Sequence, residues 1–478
     1  MSDKKNQKID LSQFEGPDGM QKLMKLAMEF QENEKQQKGQ KKNKKKVDQD
    51  LGEDGDANSQ AENDDDGDDD EEEEIKAREG CSLAYDALNI KFVQEENDLN
   101  PLFKKNMLFK PNYVHQIYGQ EEEIEGYEDL QINIYMLSGS LHTLVEYSYG
   151  KKMKQHEDFL QKLRDNCFVS DFCLKRKEFN QHMAKEKSFK PIGDKFKEIT
   201  AKNGEKFEIY YCNTQKHPEF SEYKKRMQVF AKFFIEVGSY IEDNEYWHHF
   251  LIFHVDQNGM YTFAGFTNKY EYMFNINKSR HQISQIVILP IFQRLGLATE
   301  LLNCHYKTAQ EDSKCLELTV EDPSPEFQIV RDIIETKLVI DGKFWQWFEA
   351  IRPKTIRGIL QLEGIQISHQ QEITQATKIP KYQIQRIFEI LMLSKLDQSN
   401  KQVMDRYRGH FIKYRKDVNE VRTQRKVPYI IFDNKAVKID VQAIIEQKKQ
   451  LEPNDAFYLE EYEQTLEQYN NVIQKLKI

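Results

Sequence analysis

The sequence predicts an α+β protein, with strands dominating from about residue 80 to 320 and helices beyond residue 342. Short apolar or alternating segments recur between Gly- and Asn-bearing turns in the first stretch, the pattern of a mostly antiparallel sheet. After Gly342, apolar residues return at helical spacing, as in Ile384, Ile387, Phe388 and Leu391. A third observation joins the two halves. Gln282 to Leu289 reads as a buried strand that stops at Pro290 and passes through a Gln-x-x-Gly-x-Ala turn into an amphipathic helix.

Residues 1–78 read as a disordered tail. Lysines crowd Lys41 to Lys46, and acidic residues fill ten of the eleven positions from Asp64 to Glu74, so little apolar surface is available to offset ordering entropy. Met20, Leu23, Met24, Ala27 and Phe30 fall near helical spacing, either a helix that folds on a partner or a transient one. The lysine run is either a nuclear import signal or a solvated segment. The acidic block either holds a cationic partner or keeps the tail extended.

Residues 79–215 read as an N-terminal α/β domain. Its expected strands are Lys91 to Val93, Gln131 to Leu137, Leu141 to Tyr147 and Phe207 to Tyr211, with an acidic loop at Glu121, Glu122 and Glu123. A core domain over residues 216–340 opens with a helix from Met227 to Tyr240, its apolar face built on Phe230, Phe233, Phe234 and Val237. Strands follow at His249 to Val255, Tyr261 to Asn268, Gln282 to Leu289 and Cys315 to Val320. Helices are expected from Gln293 to about Lys307 and from Pro325 to Leu338. Residues 341–420 form a helical module, and residues 421–478 a charged helical extension.

Composition bounds the function. A formal net charge of −11 argues against direct nucleic-acid binding and for a basic partner. The six cysteines show neither a C-x-x-C pair nor a metal-ligand spacing, so they read as reduced thiols, and no metal is expected. No run of 18 apolar residues appears, which argues against a membrane span. The turn at Gln293 to Thr299 aims successive backbone N–H groups at one spot where a helix begins, a place suited to a phosphate-bearing ligand. As a bare pattern it is also how many strand-to-helix connections are capped.

The strand, this turn, the helix and the next strand ending in Glu321-Asp322-Pro323-Ser324 together resemble the acetyl-CoA site of the GNAT acetyltransferases. More closely, the chain resembles the catalytic subunit of the type B histone acetyltransferases. Asn112 to Gly119, Gly126-Tyr127, Ser138 to Leu141, Phe189-Lys190-Pro191, Trp247 to Leu251 and Arg386 to Leu391 carry that resemblance in order, over roughly residues 85–415. It implies a GNAT acyltransferase fold, a mixed and mostly antiparallel sheet flanked by helices and splayed where acetyl-CoA enters. Main-chain groups of Ile286, Val287 and Ile288 would meet the pantetheine arm. Gln293, Arg294, Leu295, Gly296, Leu297, Ala298 and Thr299 would hold the pyrophosphate, and Ser324 would also touch the co-substrate. Relatives of this family place glycines where this chain has Arg294 and Ala298, which bears on loop geometry and affinity.

Acetylating a lysine needs a base, because with a pKa near ~10.4 only about one amine in two thousand is neutral at pH 7. A carboxylate raised by partial burial or a like charge serves. The resemblance makes Glu321 that base, with Asp322 and the helical Glu236 as partners or alternates; Asp322 reads equally well as a helix cap. Glu121, Glu122 and Glu123 would face a basic histone tail, or form only a solvated turn. Tyr270, Glu271 and Tyr272 would line the substrate, or be strand packing. The resemblance further implies the tail of newly made histone four as substrate, a WD-repeat histone-binding partner, and work in the nucleus and cytoplasm. Another amine acceptor, or a non-catalytic histone chaperone, remains an alternative reading.

Overall fold

The structure, a computed structural model, describes residues 77–100, 102–342, 344, 367–424, 429–432, 435–438 and 455–478. The lysine run, the acidic block and the apolar residues between 20 and 30 lie outside these. The N-terminal part comprises β1 (Cys81–Leu83), α1 (Ala84–Ala87), β2 (Leu88–Val93), β3 (Leu108–Phe109), α2 (His115–Tyr118), β4 (Glu123–Glu125), β5 (Tyr127–Glu128), β6 (Gln131–Leu137), β7 (Thr143–Ser148) and β8 (Lys151–Lys152). Four of these strands form a sheet in the order β3-β2-β6-β7, with β2 and β6 parallel. Ile90, Phe92, Ile132, Ile134 and Met136 are buried in it, as the alternating sequence requires. Helices α3 (Phe159–Cys167) and α4 (Arg176–Glu186) follow.

The second sheet holds the candidate site. It comprises β9 (Asp194–Thr200), β10 (Lys206–Cys212), β11 (Trp247–Val255), β12 (Tyr261–Asn275), β13 (Lys278–Ile288) and β14 (Cys315–Val320), in the order β14-β13-β12-β11-β10-β9. It therefore takes in two strands from before residue 216. Every pairing is antiparallel except β13 with β14. A parallel pair needs a crossover, and α7 (Leu297–Glu311) supplies it. The two sheets meet where the Phe263 N–H donates to the Ser138 carbonyl at 2.7 Å and the Tyr223 hydroxyl donates to the Gly139 carbonyl at 2.8 Å. They share one apolar core, which runs from Ala84 to Cys304.

Before β11, the helix expected over Met227 to Tyr240 shortens to α6 (Val229–Phe234), preceded by a separate helix α5 (Phe220–Met227). Ile235 is extended and Val237 is left-handed at φ 56° and 84% exposed, so neither Glu236 nor Val237 lies on a helix. The reason is tertiary: Gln116 Nε2 donates to the carbonyls of Lys232 (3.0 Å) and Ile235 (2.9 Å), replacing the next helical turn.

Beyond β14 come α8 (Pro325–Asp341), α9 (Ile367–Thr377), α10 (Lys381–Leu393), α11 (Lys401–Gln424) and α12 (Asp455–Leu476). They enclose a second core containing Ile384, Ile387, Tyr407, Tyr469 and Val472, and Ile283, Leu302 and Leu318 join it to the sheet. The segment after Gly342 is not wholly helical. Two short strands, β15 (Tyr429–Phe432) and β16 (Lys435–Lys438), pair antiparallel. The Tyr-Ile-Ile-Phe run is made of strand-forming residues, and that preference prevails over the surrounding helical charge pattern.

Candidate functional site

Strand β13 opens the site by leaving one neighbour and keeping the other. Its pairing with β14 stops at Ile283, opposite Val320, while its pairing with β12 continues to Ile288, opposite Gly265. The Leu289 N–H donates to the Ala264 carbonyl at 3.0 Å, which turns Val287 toward β12 as well. By alternation, the main-chain groups of Ile286 and Ile288 face the gap that β14 leaves. An extended ligand bearing amides fits such an edge.

The turn after β13 completes the crevice. Gln293 folds back, and its Nε2 donates to the Ile288 carbonyl at 3.0 Å. Arg294 is left-handed at φ 63° and Gly296 at φ 88°. Gly296 is the N-cap of α7, and no side chain caps that end. The helix therefore begins at Leu297 rather than at Gln293. The first-turn N–H groups of Leu297, Ala298 and Thr299 are thus offered to an anion, aided by the helix dipole. Leu295 packs against the core, while Arg294 is exposed.

Across the gap lie the acids at the end of β14. The Glu321 N–H donates to the Ile283 carbonyl at 2.9 Å, the last rung before the strands part. Its exposed carboxylate accepts from Ser284 Oγ at 2.8 Å. Asp322 is exposed, in a left-handed conformation at φ 32°. It does not cap the following helix; Ser324 does, accepting from the Phe327 N–H at 3.3 Å. Glu236 is exposed in the turn after α6.

The remaining candidates are distributed differently. Glu121 is exposed in a turn, and Glu122 faces His115 at 3.5 Å. Glu123 opens β4, where the Arg78 main-chain N–H (2.8 Å) and guanidinium hold its carboxyl below the usual range. Tyr270 and Tyr272 share one face of β12, with ring centroids 4.6 Å apart, and Trp247 meets Tyr270 at 4.9 Å. Glu271 points to the opposite face, where His248 Nε2 lies 3.3 Å from its carboxylate and the Tyr211 hydroxyl 2.6 Å from His248 Nδ1.

Sequence reasoning named Glu271 but missed the rest of that inner polar cluster. Lys269 Nζ lies 2.9 Å from His281 Nδ1, and His281 Nε2 lies 3.4 Å from Asp312. Burial pulls the Lys269 ammonium down to about 8. The signal was present as Thr267, Lys269 and Glu271, polar at every second position of a strand otherwise apolar on that face. Among the described residues, Glu271, His281 and Asp312 bring ligand atoms within 4.8 Å of one another, as a metal would need. Lys269 already places a cation beside that histidine. Ser284 and Trp247 were also absent from the sequence-based site.

The family described as "Histone acetyl transferase HAT1 N-terminus" matches residues 81–236. The chain is 29% identical over 413 residues to the human histone acetyltransferase type B catalytic subunit, covering 82% of this chain and 92% of that one. Against the Mycosarcoma maydis type B catalytic subunit the identity is 31% over 338 residues, 63% of this chain and 73% of the relative. The chain belongs to the type B histone acetyltransferase catalytic subunits. Membership makes it an acyltransferase, and the family-model match runs through the first sheet and takes in β9 and β10 of the second. A solved aminoglycoside N-acetyltransferase in complex with CoA overlaps 27% of this chain and 85% of its own at 18% identity and a TM-score of 0.18, too slight a likeness to argue from.

Proposed function

We propose that this chain transfers acetyl from acetyl-CoA to a lysine in the tail of newly made histone four. The observation that carries this reading is the parting of β13 from β14, with Glu321 at its apex and the uncapped start of α7 at its far end. Acetyl-CoA supplies an activated thioester. Ile286 and Ile288 offer main-chain groups to its amide-bearing arm, with Val287 between them anchored on β12. The Gln293 to Thr299 turn takes the pyrophosphate, and Arg294 adds a guanidinium to it. Ser324, the N-cap of α8, is a further contact to the co-substrate in this reading.

Glu321 accepts a proton from the substrate ammonium, and the neutral amine then attacks the thioester carbonyl. Main-chain N–H groups at the open edge of β13 polarise that carbonyl. The carbon–sulfur bond breaks, and the thiol of coenzyme A leaves. Asp322 and Glu236 stand as partners or alternates in proton removal. Attack is direct, without an acyl-enzyme: burial pushes the Cys304 thiol up to about 12 and the Cys315 thiol to about 11, so neither is a ready nucleophile. Tyr270 and Tyr272 present flat faces to the lysine stem. Glu121 and Glu122 favour a basic tail; Glu123 does so less, its charge being shared with Arg78, and Glu271 acts from behind the tyrosines.

A WD-repeat histone-binding subunit as partner, and activity in both nucleus and cytoplasm, belong to the same proposal. Mass spectrometry of a histone mixture incubated with the chain and acetyl-CoA tests it. Acetylation of the histone four tail is the expected result. Turnover of a polyamine or another protein instead would replace the substrate. Tight histone binding without acetyl-CoA binding by calorimetry would favour a chaperone.

A further inference from the structure

We infer that Ser284 is a positioning residue that aims the Glu321 carboxylate at the substrate amine. The inference rests on the proposed role of Glu321 as base. The pairing of β12 with β13 jumps from Asn268 opposite Gln285 to Lys269 opposite Ile283, so Ser284 is the extra, unpaired residue of a β-bulge. A bulge re-aims a side chain, and this one falls one residue past Ile283, the last partner of β14. There Ser284 Oγ donates to Glu321 Oε2 at 2.8 Å, leaving Oε1 for the incoming amine.

The geometry is held from both sides. Immediately before the bulge, Ile283 is buried and takes the Glu321 N–H. Immediately after it, buried Gln285 is bound three ways. Its N–H donates to Asn268 Oδ1 (3.1 Å), its Oε1 accepts from Asn268 Nδ2 (2.9 Å), and its Nε2 donates to the Ser239 carbonyl (2.7 Å). The hydroxyl between these two anchors has a fixed origin. A carboxylate on an exposed strand end otherwise samples several rotamers, and one charge-assisted hydrogen bond selects among them.

The test is steady-state kinetics of the full chain with acetyl-CoA and a lysine peptide that the wild type acetylates. Ser284→Ala is expected to lower kcat about ten-fold, the weight of one hydrogen bond to a charged group, with KM for acetyl-CoA within two-fold of wild type. Ser284→Thr keeps the hydroxyl and is expected to restore most of kcat. In a Glu321→Gln background, Ser284→Ala is expected to add little. Wild-type kcat in Ser284→Ala, or an equal further loss in that background, overturns the inference. Near-normal turnover in Glu321→Gln alone instead overturns the base assignment, and the positioning role with it.

Discussion

Glu321 sits on main-chain geometry that leaves its carboxylate exposed: its N–H closes the last rung with Ile283, while among the described residues its side chain has the Ser284 hydroxyl as its hydrogen-bond partner. From sequence, partial burial or a like charge is expected to tune this acid; the structure leaves it exposed, beside the exposed Asp322. Glu321→Gln keeps the shape and the hydrogen bond while removing the basic function. Turnover is expected to fall ~10²–10⁴-fold with acetyl-CoA affinity nearly unchanged, measured by kcat beside calorimetric binding. Retained turnover would remove Glu321 from the mechanism. Arg294 is instructive at the same scale: a left-handed φ of 63° is a conformation that glycine adopts at least cost, and this chain accepts the strain with a guanidinium in return.

At the scale of elements, β13 organises the site, and Gly265 on β12 lets it do so. A Cβ at Gly265 would stand 2.2 Å from the Val287 carbonyl oxygen and 3.1 Å from Ile288. Gly265→Ala is therefore expected to destabilise the chain by roughly 1–3 kcal/mol and to raise KM for acetyl-CoA, because the displaced segment carries Ile286 and Ile288. Denaturant unfolding and initial-rate kinetics on one preparation check both halves; a change in stability without a change in KM would detach β12 from the binding edge. Much of this element was legible. The apolar alternation of β13, Pro290 and the Gln-x-x-Gly-x-Ala turn announced a strand, a stop and a helix start, and β6 and β14 fell where their sequences placed them. Glu236 was misplaced because Phe230, Phe233 and Phe234 continue a helical stripe, whereas Gln116, far away in sequence, ends the helix. The bulge at Ser284 depends on register with β12, which no single strand encodes.

Buried charge and histidine set the behaviour of the whole molecule. Arg331 and Glu335 pair at 2.7 Å within α8, both essentially inaccessible, and the Tyr306 hydroxyl of α7 also donates to Glu335. Glu335→Ala would strand a buried guanidinium, an expected loss of about 3–5 kcal/mol by chemical denaturation. A loss under 1 kcal/mol would mean that solvent already reaches Arg331. Burial first, then neighbouring cations, pulls His142 and His281 down to about 3. Both rings are neutral in the fold but take up a proton when unfolded below about pH 6.5. Their contribution is full above pH 6.5 and declines toward pH 3, more steeply for buried His281 than for half-buried His142, whose share solvent screening reduces. Calorimetric melting is expected to drop across that window, and His281→Gln to make the drop shallower; an unchanged slope would show that other groups govern acid unfolding.

Helix α12 has a consequence for the site at a distance. Arg386 reaches Gln468 at 2.7 Å, Tyr469 donates to Glu389 at 2.7 Å, and Arg415 meets Glu461 at 3.2 Å, so α10 and α11 find part of their polar satisfaction some 46 to 82 positions further on. The same apolar cluster includes Ile283 and Leu318, at the root of the fork between β13 and β14. Arg386 and Arg415 also pair with Asp332 and Glu389, so α12 completes charge networks that α8, α10 and α11 begin among themselves. Through that shared packing α12 acts as a remote brace, and whatever loosens its seating is also felt at the root of the catalytic fork.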